Sequence, residues 1–172
     1  MSLADAGVDW PATTAWGDGG YYARVFVNLE GREPQGSVPA GDYERVRAEL
    51  AERLAALPGP DGSPLGTRVF RPEEVYDEVN GIAPDLIVYF GNLAWRSIGT
   101  VGGDEGVYTF ENDTGPDGAN HAQDGLLIMA GPGIEAGAAV GMHLLDVAPT
   151  VLELLGIERP PGLRGRSLLR RV

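Results

Sequence analysis

The sequence has no cysteine and no lysine, only two histidines, and no long apolar run. The missing cysteine removes disulfide frameworks, thiolate zinc sites and cysteine nucleophiles together, and leaves the redox compartment open. All 13 basic residues are arginine, against 25 acids, for a formal net charge of −12. Such a surface repels a polyphosphate backbone unless metal ions intervene, so sequence-independent nucleic-acid binding is not expected. No apolar stretch approaches the roughly 20 residues needed to span a bilayer. The opening Met1-Ser2-Leu3-Ala4-Asp5 has neither a basic nor an apolar leader region, so the expected location is cytoplasmic, with no membrane partner.

What is present is enough for a packed core. The chain has 172 residues, 43% of them hydrophobic, about one domain's worth. Its 26 glycines and 13 prolines fall between periodic segments and read as turns rather than as disorder. Residues 1–20 show no period and read as an entering loop. A β-branched and aromatic run at 23–29 predicts a strand that Gly31 stops, followed by a turn-rich loop at 30–36. From 42 to 57, Tyr43, Val46, Leu50, Leu54 and Leu57 recur at helical steps, with Glu44, Arg45, Arg47, Glu49, Glu52 and Arg53 assigned to the other side.

Further along, 67–70 reads as a short strand and 72–74 as a helix start with proline and acids in its first turn. The run 85–90 reads as a strand covered on both faces. A Gly-rich, acidic segment then runs from 92 to 120, long enough to suggest a functional loop. Leu126 to Ala130 reads as a second buried strand, ended by Gly131-Pro132-Gly133. Asp146 is expected to cap a helix through Leu155 whose apolar stripe is Val147, Val151, Leu154 and Leu155. Alternating strands and helices predict an α/β layered architecture.

His121 stands between the acidic loop and the 126–130 run, where it would project at the mouth of a sheet, and an imidazole serves there as metal ligand or acid–base group. Taken alone it reads more readily as a surface histidine. Asp113 and Asp124 are candidates to orient its ring, or else turn formers with solvated side chains. Arg32 is a candidate phosphate contact, although an ion pair is the simpler reading. Thr13 and Thr14 have no adjacent base and are rejected as nucleophiles. His143, ahead of an apolar helix, reads as structural.

The ordered set Trp10 to Thr14, Val27-Asn28-Leu29-Glu30-Gly31-Arg32-Glu33-Pro34-Gln35-Gly36, Pro84-Asp85-Leu86, His121 with Asp124-Gly125, Gly131-Pro132-Gly133-Ile134 and Asp146-Val147-Ala148-Pro149-Thr150 resembles the C-terminal part of a type I phosphodiesterase/nucleotide pyrophosphatase-like protein of the alkaline phosphatase superfamily. The resemblance covers nearly all of the chain. It implies a partial alkaline phosphatase-like α/β/α sandwich, with residues 1–172 as a single C-terminal fragment of a metal-dependent phosphohydrolase domain. It further implies two divalent metal ions, zinc or alternatively manganese, a small-molecule phosphate ester as substrate, and a late histidine ligand matched here by His121. The nucleophile, the first Asp ligand and the Asp-Xaa-Xaa-Xaa-His and Asp-His pairs have no counterpart in the chain. They are expected on an N-terminal part of the same polypeptide, so the fragment alone should be inactive. The alternatives are a phosphomutase or sulfatase of the same superfamily, or a non-catalytic binding domain.

Overall fold

The computed structural model describes residues 3–101, 106–111, 118–131, 134, 137 and 141–169. They fall into two compact units, 1–124 and 125–172. The first is a mixed α/β unit built on a four-stranded antiparallel sheet in the order β1-β2-β4-β3. Its strands are β1 (Ala15–Asp18), β2 (Ala23–Val27), β3 (Arg68–Phe70) and β4 (Leu86–Tyr89). Helix α1 (Tyr43–Ala55) and the single turn α2 (Pro72–Val75) complete the regular structure of this unit, together with short 3₁₀ turns.

The pairing register decides which side chains share a face. Ala23 lies opposite Val88 and Val25 opposite Leu86. These four side chains form the buried cluster, and Leu50, Ala51 and Leu54 of α1 pack on it. The 3.6-residue period of α1 thus meets the two-residue period of β2 and β4 on one face. Alternate positions point to the other face, where Trp16 stacks with Phe26 at 5.3 Å and Phe70 meets Tyr89 edge-on at 5.2 Å. Leu86 and Val88 are fully buried and Ile87 nearly so, as expected of a strand covered on both faces.

Three expectations are corrected. Residues 15–18 belong to strand β1 rather than to an entering loop; the adjacent Gly17, Asp18, Gly19 and Gly20 hide the strand period. Arg47 lies on the buried side of α1 rather than with the solvated charges. Its Nε donates to the Asp85 carbonyl at 3.1 Å and its Nη2 to both Glu73 oxygens at 2.6 Å. Residues 126–130 form no strand: Leu126 and Ile128 are 87% and 80% exposed. Their composition suits a covered strand, but no strand of the described residues pairs with them, and without a neighbour the backbone has no ladder to join. The Pro132-Gly133 turn after them lies outside the described residues.

The second unit is organised around α3 (Val147–Leu154) and the 3₁₀ turn Leu144–Asp146 before it. The Asp146 carboxylate accepts from the amides of His143 at 2.9 Å and Arg166 at 2.8 Å, instead of capping α3 itself. Thr150 donates its hydroxyl to the Asp146 carbonyl at 2.5 Å and accepts from the Leu168 amide at 3.0 Å. A Cβ at Gly165 would lie 2.1 Å from the Leu145 carbonyl oxygen, so only glycine lets the tail come this close. Asp146, Pro149 and Thr150 are therefore buried for a structural reason, while Val147, Val151, Leu154 and Leu155 remain 38–66% exposed. No helix of the described residues is long and apolar enough to cross a membrane.

Truncating Leu86 to alanine removes packing from the buried cluster beneath α1 and is expected to cost about 2–5 kcal/mol. Urea denaturation of both proteins checks this, with a midpoint within error of the parent as the contrary result.

Candidate functional site

The loop after β2 is held by two residues of its motif. Asn28 is 2% exposed and directs its amide nitrogen at the carbonyls of Trp10, Thr13 and Gln35, at 2.8, 2.9 and 2.9 Å. Its own backbone amide donates to Thr14 and its carbonyl accepts from Ser37 and Val38. Gly36 has no room for a side chain, since a Cβ would meet the Leu29 carbonyl oxygen at 2.3 Å. These contacts draw the 30–36 loop back against the 10–14 segment and aim Arg32 at the sheet.

Arg32 then meets Asp85, the residue that leads into β4. Its Nη1 and Nη2 donate to the two carboxylate oxygens at 2.8 and 2.7 Å, Nη2 also reaches the Val27 carbonyl at 2.6 Å, and Nε donates to Glu33 at 2.8 Å. Asp85 further accepts from the Val27 amide at 2.6 Å and the Tyr43 hydroxyl at 2.5 Å. Burial pushes the Asp85 carboxyl up, but these donors, Arg32 foremost, outweigh burial and hold it below the usual carboxylate range. Burial, reinforced by the neighbouring Asp85, pushes the Tyr43 phenol up to about 12. The Asp85 hydrogen bond also raises the Arg32 guanidinium. Every nitrogen of the Arg32 fork thus already donates within the chain, and the ion pair weighed against a substrate contact is present.

His121 lies elsewhere in the same unit. It is exposed, and its ring packs on Tyr21 with centroids 4.2 Å apart and planes at 59°. Tyr21 precedes β2, and its neighbours are clamped. Gly20 donates to the Ser97 carbonyl at 3.2 Å and hydroxyl at 3.1 Å, and a Cβ on Gly19 would lie 2.2 Å from the Ile98 carbonyl oxygen. On the other side of His121, the Asn120 amide nitrogen donates to the Leu93 carbonyl at 2.7 Å. Since β2 and β4 are antiparallel, the start of β2 and the end of β4 lie at one end of the sheet, and His121 is tied to that end from both. Gly91, Asn92 and Leu93 have φ of 56°, 52° and 76°. Two non-glycine residues with positive φ store strain of the kind found at functional sites.

Asp124 is exposed, and Asp113 lies outside the described residues. Among the described residues no three His, Asp or Glu side chains gather into a group able to hold a metal ion. An exposed imidazole suits a borderline-soft cation such as zinc, so His121 fits as one ligand, but this chain's described residues do not complete a coordination sphere. The other histidine, His143, serves its own turn, where its Nδ1 accepts from the Leu145 amide at 3.1 Å. Thr13, rejected as a nucleophile, spends its hydroxyl on the Asp9 carbonyl at 2.7 Å. Sequence reasoning passed over Tyr21 and Asn120, which carried no signal beyond adjacency of Asn120 to the histidine.

Two cavities flank the β1 edge. One of about 320 Å³ is walled by Trp16, Phe26, Asp18 and Glu33, and one of about 330 Å³ by Ala15, Val25, Leu50 and Leu54. His121 lines neither. Compared with protein-family models, with curated proteins and with solved structures, the chain matches none.

The Asp85 cluster fixes a pH dependence. Asp85, with its lowered native value, contributes stability that is present above about pH 3.9 and is lost as the pH falls through that native value. Tyr43, raised to about 12, contributes stability that is complete below its ordinary value of about 10 and is lost as the pH rises toward 12. Denaturation midpoints between pH 8 and 12 are expected to fall less steeply in Tyr43→Phe than in the parent, and parallel curves would contradict the assignment.

Proposed function

We propose that residues 1–172 are the C-terminal portion of a metal-dependent phosphoric ester hydrolase of the phosphodiesterase/nucleotide pyrophosphatase type, with an alkaline phosphatase-like sandwich as the complete fold. In this reading His121 supplies a neutral imidazole to one of two divalent ions, zinc or alternatively manganese. The nucleophile and the remaining ligands come from an N-terminal part of the same polypeptide. When bound, such ions act as Lewis acids toward the phosphoryl oxygens.

The observation that carries the reading is the ordered series of motifs spread over nearly the whole chain, in which His121 holds the place of a late metal ligand. Two features of the structure support it. His121 is exposed and tied to one end of the sheet, at the exit of the central strand β4, where a ligand brought by another segment could meet it. The apolar run 126–130, with a buried strand's composition, and the stripe of α3 are exposed, as surfaces prepared for further polypeptide would be. The net charge of −12 favours a small phosphate ester over a nucleic-acid strand.

The full-length protein is expected to hydrolyse bis-p-nitrophenyl phosphate with Zn²⁺ or Mn²⁺, residues 1–172 alone to be inactive, and His121→Ala to lower kcat/KM by orders of magnitude. An unchanged rate in His121→Ala would falsify the ligand assignment.

A further inference from the structure

We propose that Tyr21 and Asn120 are positioning residues for His121, Tyr21 by fixing the ring and Asn120 by fixing the backbone beside it. The inference rests on the reading of His121 as a ligand and adds to it two residues that no motif singles out. Three observations converge on the pair.

The first is the ring contact. An exposed histidine in a Gly-rich loop would ordinarily rotate about two side-chain torsions, and a ligand that must be immobilised on binding loses affinity for it. Here Tyr21 covers the imidazole at 4.2 Å while leaving it exposed. Tyr21 is itself 48% exposed, so the contact contributes little to the core, yet the two residues before it are held in place. Gly20 adopts φ 149° to make the bridge to Ser97, and Gly19 admits no side chain.

The second is the anchor. Asn120 ties the residue before His121 to Leu93, and Leu93 is 8% exposed with φ 76°. Strain in a buried residue persists only where the surroundings impose it.

The third is an orphaned atom. The Asn120 Oδ1 is buried and has no hydrogen-bond partner among the described residues. The Leu93 carbonyl settles the amide orientation, because exchanging nitrogen and oxygen would set two acceptors against each other. An unpaired buried acceptor costs about 1–3 kcal/mol, a cost borne here while the amide nitrogen holds Leu93. Metal-bound imidazoles depend on such surrounding contacts, and their loss typically weakens metal affinity about 10- to 100-fold.

The test has two arms. In the 172-residue chain without metal, the carbon-bound ring protons of His121 should be displaced by the Tyr21 ring current, lose the displacement in Tyr21→Leu and keep it in Tyr21→Phe. In the full-length protein, Zn²⁺ affinity from competition with a chromogenic chelator should fall about tenfold or more in Tyr21→Leu and Asn120→Ala and recover in Tyr21→Phe. If His121→Ala weakens Zn²⁺ binding while Tyr21→Leu and Asn120→Ala leave it unchanged, the positioning role is wrong and the ligand assignment stands. If His121→Ala itself leaves Zn²⁺ affinity unchanged, both fail.

Discussion

A buried carboxylate sets the terms for the first unit. The Asp85 side chain is 3% exposed, and a charge taken out of water is tolerated only where donors replace its hydration. Arg32, Tyr43 and the Val27 amide supply those donors from a loop, a helix and a neighbouring strand. The Asp85 carbonyl is used as well, by the buried Arg47 of α1. Satisfying one residue therefore fixes the angle at which α1 lies on the sheet, the return of the 30–36 loop and the alignment of β2 with β4. The Asn28 amide sustains the arrangement by holding the loop against 10–14.

Within this frame, several of the motif residues hold the architecture. Arg32 attracts attention as a fork for phosphate, yet its nitrogens close on Asp85, Glu33 and Val27. Asp146 and Thr150, likewise prominent, tie the tail of the second unit to the start of α3. The end of the sheet where β2 begins and β4 ends, the place proposed for function, lies outside this frame. There the backbone takes three successive positive φ values, a buried acceptor has no partner among the described residues, and an imidazole is held outward.

Apolar pattern made α1, β2, β3 and β4 legible: α1 by its helical repeat, β2 and β3 by short β-branched and aromatic runs, and β4 by a continuous apolar run covered on both faces. It misplaced Arg47, since a charge buried by pairing with Glu73 looks the same in sequence as one facing water. It also missed β1, four residues broken by Gly17 and Asp18, whose strand character comes from pairing with β2. The opposite error at 126–130 has the same root: an apolar run becomes a strand only when a neighbour takes its hydrogen bonds. His121 stood out by its place between the acidic loop and the 126–130 run, and then by its place in a series of motifs. Tyr21 lies a hundred positions away, and no local pattern reports a contact at that separation.

The proposed membership of His121 in a metal centre completed by polypeptide outside residues 1–172 is decided by diffraction from crystals of the zinc-loaded full-length protein, recorded on either side of the zinc absorption edge. The expected result is an anomalous peak at about 2.0–2.1 Å from a nitrogen of His121, with further ligands from the N-terminal part of the chain. Zinc bound without His121, or no zinc at this end of the sheet, would overturn the proposal.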